Sequence, residues 1–312
     1  MFATAFVFPG QGSQSVGMLS ELAVRYPFII ELFDMVSDRL GYNLWTLVQH
    51  GPEIELNQTE RTQVAMLTAD VAVYKLLQQQ GYDSPNMMAG HSLGEYAALV
   101  CANAISLSDA AVLVAKRGQL MQETVPLGQG AMAAIVGLTD ADVESLCTKA
   151  STPELQVSPA NYNAIGQVVI AGHVTAVEKA INLAEGMDAR LAKIIPVSVP
   201  CHCALLKEAA DQFEDSLQHT VFNVPTLPVI SNVDLSIYQS AEQIRSLLKE
   251  QLYRPVRWVE TIQLMKQNGI ELVVECGPGK VLSGLVKRID KSLSAIHVND
   301  LSSFDMTLSQ LL

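Results

Sequence analysis

The chain has 312 residues, 49% of them hydrophobic and 17% charged, with a formal net charge of −12. A charged share below the usual quarter excludes extended disorder and leaves apolar side chains for a large buried core. The acidic balance excludes a global basic footprint, so nucleic acid is not an expected partner.

Residues 1–9 are apolar, and no Lys or Arg precedes Arg25. That start lacks the charged region of a signal peptide, and Pro9 and Gly10 end it like a buried strand. No uninterrupted apolar run approaches the ~18 residues of a membrane-spanning helix. The expectation is a cytoplasmic protein without a membrane partner. Apolar runs at 5–8, 86–89 and 271–275 are short and read as buried strands. Amphipathic stretches at 20–40, 63–80, 94–104 and 108–123 read as helices. Their alternation predicts an α/β core with a mainly parallel sheet.

The rhythm changes between residues 130 and 199. A strand is expected over 131–138 and a helix after a cap at Thr139 or Asp140. Strands over 155–161 and 167–171 flank a turn at Gly166; a helix over 175–185 and a strand over 190–199 follow. The order βαββαβ is the ferredoxin-like signature. It predicts a small subdomain, 129–199, inserted into a core made of 1–128 and 200–312. The hinges would be Gly128-Gln129-Gly130 and residues 196–200.

Gly90-His91-Ser92-Leu93-Gly94 has the form G-x-S-x-G, between an apolar strand and an Ala/Leu-rich helix. That setting suits a nucleophile elbow, with the Ser92 hydroxyl near a helix N-terminus that favours developing negative charge. The three fixed positions also recur by chance around an inert serine. A second Gly-rich loop runs from Phe8 to Gln14. Ser15 replaces the third glycine of a dinucleotide fingerprint, and Met18 replaces the lysine of a P-loop. What remains is a loop whose exposed N–H could serve an oxyanion together with the N–H of Leu93; an ordinary tight loop is the alternative.

Of six histidines, His91 adjoins Ser92 and its side chain should point elsewhere. His202 follows a strand end and a Pro, where catalytic residues of α/β proteins gather, though a core histidine fits equally. Five scattered cysteines, Cys101, Cys147, Cys201, Cys203 and Cys276, argue against a disulfide framework. No second Cys/His cluster completes a metal site with Cys201-His202-Cys203, so no metal is expected.

With these motifs in view, the sequence resembles the malonyl-CoA:acyl-carrier-protein transacylase family nearly end to end. The landmarks are Phe8–Gln14, Gly90–Tyr96, Arg117 within Lys116–Met121, Asn161-Tyr162-Asn163, Val199–His202, Gln251 and Gly277-Pro278-Gly279. The resemblance implies a hydrolase-like α/β core with a ferredoxin-like insertion. It implies Ser92 as nucleophile and His202 as base, without a triad Asp. It places Gln11 and Leu93 at an oxyanion hole, and Arg117, Gln251 and Asn161 at the substrate, with a backbone carbonyl at Gln251 orienting the imidazole. Ile165 stands where a Pro is usual, and Cys201 and Cys203 stand where small residues are usual.

The implied reaction is ping-pong transfer of malonyl from malonyl-CoA to the phosphopantetheine thiol of acyl carrier protein, without a cofactor. A planar guanidinium at Arg117 suits a malonyl carboxylate. On sequence alone Arg117 fits a surface ion pair with Asp109 or Glu123 as well. Because both substrates are anionic, local cations at Arg190, Lys193, Lys280, Lys287, Arg288 and Lys291 are candidate docking points, with solvated helix faces as the alternative. A serine thioesterase, a noncatalytic carrier-binding module and a methylmalonyl transferase remain competing readings.

Overall fold

The computed structural model describes residues 3–82, 84–126, 128–197 and 199–311. Ser198, within the second expected hinge, and Met1 and Phe2 lie outside the described residues.

The described strands, in chain order, are β1 Thr4–Phe8, β2 Met87–Gly90, β3 Gly130–Val136, β4 Val157–Ala164, β5 Gln167–His173, β6 Leu191–Ile195, β7 Val229–Ile230, β8 Leu272–Cys276 and β9 Ser294–Val298. Five form a parallel sheet in the order β7-β2-β1-β8-β9. β1, β2 and β8 are buried along their whole length, which is why they read as short, mainly apolar runs. Along β1, Phe6 and Phe8 join one core cluster while Ala5 and Val7 join another. This two-residue period puts a core on each face of the sheet.

The other four strands form an antiparallel sheet in the order β4-β5-β3-β6. Helices Asp140–Ala150 and Val174–Glu185 cross on its face, and Val143, Leu146, Val177 and Ala180 share a core with Ala133, Ile135, Val168 and Ile170. The chain order is the expected βαββαβ. Thr139 caps the first of these helices, accepting from Asp142 N–H in a reciprocal capping box.

Several expected boundaries shift for local reasons. The helix expected over 20–40 is two, Ser20–Arg25 and Phe28–Leu40. Pro27 lacks an N–H, and its ring clashes with the carbonyl one turn back, so one helix cannot run through. The helix after Ser92 spans Gly94–Cys101, ending before Asn103, which is left-handed at φ 59°. β6 stops at Ile195 because Pro196 has no donor for the ladder. Helices Thr59–Gln79 and Leu107–Thr124 pack on the core, the second capped by Ser106 accepting from Asp109 N–H. No described helix is long and apolar enough to cross a membrane.

Candidate active site

β1, β2 and β7 are neighbours, so the segments leaving their carboxyl ends converge. These segments carry Gln11, Ser92 and Asn232. Ser92 sits between β2 and the helix Gly94–Cys101 with φ 53°. A non-glycine residue held there is strained, and such strain clusters at functional sites. The turn is so tight that its flanking glycines are obligatory. A Cβ at 90 would lie 1.8 Å from the Gly94 carbonyl carbon, and one at 94 would lie 2.0 Å from the Phe8 oxygen. Asn232, wholly buried, staples the turn: its Oδ1 accepts from Ser92 N–H at 2.8 Å and its amide donates to the Gly90 carbonyl at 2.7 Å.

The Ser92 hydroxyl donates to His202 Nε2 at 2.7 Å, and His202 Nδ1–H donates to the Gln251 carbonyl at 2.7 Å. A carbonyl only accepts, so this contact selects the tautomer that leaves Nε2 free to receive the serine proton. His202 also has a left-handed backbone, φ 59°, fixed by its N–H donating to Leu252 at 3.0 Å. His91 turns away, donating to Asn163 Oδ1 at 2.8 Å and meeting Trp258 edge-on. The N–H groups of Gln11 and Leu93 make no hydrogen bond among the described residues, and both residues line the same cavity as Ser92. They are available as paired donors to an oxyanion.

Arg117 is 1% exposed and takes no part in a surface ion pair. Asp109 instead pairs with Arg39 at 3.7 Å, and Glu123 accepts from Gln119 at 2.7 Å. The guanidinium donates to Gln63 Oε1 at 2.8 Å, Gln251 Oε1 at 2.9 Å and, more weakly, Ser92 Oγ at 3.4 Å. None of these partners is acidic, and Nε has no hydrogen-bond partner among the described residues. A buried cation whose direct partners are all neutral is costly unless an anion joins it. The cavity it lines, of about 370 Å³, also takes Asn161 from β4 and Met132 and Ile195 from β3 and β6. The insertion therefore forms one wall of the cavity.

A model of the acyl transferase domain matches residues 5–303. The malonyl CoA-acyl carrier protein transacylase of Escherichia coli strain K12 is 52% identical over 304 residues, covering 97% of this chain and 98% of the relative. The transacylase of the same name from Coxiella burnetii superposes with a TM-score of 0.97 at 48% identity, over 99% of this chain and 98% of that one. The chain belongs to the malonyl CoA-acyl carrier protein transacylase family. A further match, at TM-score 0.97 and 50% identity over 98% of this chain and 99% of the other, is a malonyl-transacylase in complex with a type II PKS acyl-carrier protein.

Within this transacylase-family site, four residues carry contacts that sequence reasoning does not assign. They are Gln63 and Asn232, already described, with Glu95 and Tyr238. Glu95 is wholly buried beneath Ser92, and accepts from Tyr238 O–H at 2.5 Å and Gln251 Nε2–H at 2.5 Å. Burial pushes its carboxyl up to about 7, against the lowering effect of the hydrogen bonds from Tyr238 and Gln251. The polar pair Ser231-Asn232 directly after the apolar pair Val229–Ile230 is the one signal that could have marked Asn232.

Burial, and then Arg117, push the His202 imidazole down to about 3, while the Gln251 carbonyl pulls the other way. His202 is therefore neutral across the physiological range. Between the free-imidazole value of about 6.5 and that lowered value, the unfolded chain binds a proton that the folded chain refuses. Stability from this residue thus rises with pH through that window and is lost on acidification. Denaturant melts should show the protein losing stability relative to His202→Gln as pH falls from about 6.5 towards 4, with a constant difference above about 7.

Proposed function

We propose that the protein transfers malonyl from malonyl-CoA to the phosphopantetheine thiol of an acyl carrier protein through an acyl-serine intermediate, supplying fatty acid synthesis. One observation carries this reading: the buried Arg117 guanidinium, without an acidic partner, beside a serine already hydrogen-bonded to a histidine. An uncharged acyl group would leave that cation unmatched, whereas a malonyl carboxylate can take it in a bidentate pair.

Ser92 Oγ attacks the thioester carbonyl as its proton passes to His202 Nε2. The oxyanion accepts from the Gln11 and Leu93 N–H groups. When the C–S bond breaks, His202 returns the proton to the CoA thiolate, leaving a malonyl-serine ester. The carrier thiol then gives its proton to His202, attacks the ester, and the steps run in reverse. The acceptor thiol is itself fairly acidic and gives up its proton more readily than water. Asn161 and Gln251 complete the substrate-binding side.

In this reading the chain comprises a core, 1–128 and 200–312, and a subdomain, 129–199. The separate antiparallel sheet with its own apolar cluster supports that division. We place the enzyme in the cytoplasm, supported by five cysteines that are all free thiols.

Malonyl-CoA consumption with and without holo carrier protein tests transfer against hydrolysis. Rapid turnover should require the carrier, with malonyl appearing on its thiol. Equally fast release of free malonate in its absence would replace this reading with a thioesterase.

A further inference from the structure

The buried network beneath Ser92 has Glu95 at its centre. Glu95 is 0% exposed and does not line the cavity, so it cannot touch an acyl group. Its Oε1 accepts from Tyr238 O–H at 2.5 Å and Asn232 N–H at 3.3 Å. Its Oε2 accepts from Gln251 Nε2–H at 2.5 Å. Asn232 N–H and Gln251 Nε2–H can only donate, so both Glu95 oxygens are held as acceptors.

Gln251 is saturated by three different parts of the site. Its Nε2 also donates to the Ser92 carbonyl at 3.0 Å, its Oε1 accepts from Arg117 at 2.9 Å, and its backbone carbonyl holds His202 at 2.7 Å. Arg117 can only donate, so the amide must present oxygen to Arg117 and nitrogen to Glu95. A direct Glu95–Arg117 contact would neutralise the guanidinium. With Gln251 between them, the negative charge lowers the cost of burying Arg117 while its cavity face stays unpaired.

We infer that Glu95 is a positioning residue for acyl transfer, setting the Gln251 amide so that His202, Ser92 and Arg117 are held in one geometry. This rests on the malonyl-transfer reading above and adds to it how the cation is kept open for the substrate carboxylate.

The decisive comparison is Glu95→Gln. It preserves shape and can still accept from Tyr238, but sets an NH2 against Gln251 Nε2. Either amide must rotate, and rotation of Gln251 turns its NH2 towards Arg117. Single-turnover formation of acyl-Ser92 should be measured with malonyl-CoA and acetyl-CoA. Losing a hydrogen bond to a charged group of this kind corresponds to roughly ten- to a hundredfold. The malonyl rate should fall by about that factor, with a raised KM for malonyl-CoA and a smaller loss with acetyl-CoA. In a Gln251→Leu background the same change should add little further loss. Should Glu95→Gln fail to fold, Tyr238→Phe carries the test. It removes one bond to Glu95 without touching Ser92, His202 or Arg117, and should lower malonyl preference in the same direction. Folded variants with unchanged rate and acyl preference, or losses that simply add to those of Gln251→Leu, would overturn the inference. Wild-type protein that forms no malonyl-serine would instead sink the transfer reading itself.

Discussion

Ser92→Ala is expected to leave the fold intact and to lower malonyl transfer by roughly 10⁶-fold, the scale seen when a catalytic serine is removed from a hydrolytic site. The side chain that disappears takes no part in holding its own turn. Asn232 grips the Ser92 N–H and the Gly90 carbonyl, both of which alanine retains. The left-handed backbone costs alanine about what it costs serine. What is lost is the oxygen 2.7 Å from His202 Nε2. His202→Ala should approach the same floor, and the double variant should be hardly worse than either, because the two act as one unit. Stopped-flow measurement of CoA release, read beside a thermal melt, separates this loss from unfolding. A Ser92→Ala protein retaining a tenth or so of the wild-type rate would contradict the role given to this hydroxyl.

Arg117→Ala should erase the preference for malonyl over acetyl, by about two to three orders of magnitude in kcat/KM for malonyl-CoA, the range for removing one partner of a buried charge pair. Acetyl-CoA, which has no free carboxylate, should lose far less. Arg117→Lys should recover only part of the preference. An ammonium cannot bond Gln63, Gln251 and a planar carboxylate together in the fixed geometry that a guanidinium fork provides. Competition between malonyl-CoA and acetyl-CoA in one vessel measures the ratio directly. An unchanged ratio in Arg117→Ala would move the specificity device elsewhere.

Legibility in the sequence differed by how local the cause was. Buried parallel strands such as β1 and β8 show as apolar runs because both faces are covered. The βαββαβ insertion shows because its turns and caps, Thr139 and Gly166 among them, are short-range signals. The break at Pro27 could be read from a single residue, yet the apolar periodicity of 20–40 masked it.

The elbow at Ser92 is local too, since its glycines mark the tight turn. The contact to His202 spans 110 positions and belongs to the tertiary fold. Apart from the family resemblance, Arg117 reads better as a surface ion pair, because Asp109 and Glu123 are visible in sequence whereas 1% exposure is not. Glu95, Tyr238 and Asn232 are hardest of all. Each is an ordinary polar residue until packing removes water from around all three and leaves them to pair with one another, with Gln251 and with the turn at Ser92.

Intact-mass spectrometry after mixing with equal malonyl-CoA and acetyl-CoA, for the wild type, Ser92→Ala and Arg117→Ala, tests the account most directly. The wild type should carry mainly one malonyl group, mapped to Ser92 by peptide digestion. Ser92→Ala should carry none, and Arg117→Ala should lose the malonyl preference. A malonyl adduct that persists in Ser92→Ala, or equal labelling by both acyl groups in the wild type, would contradict it.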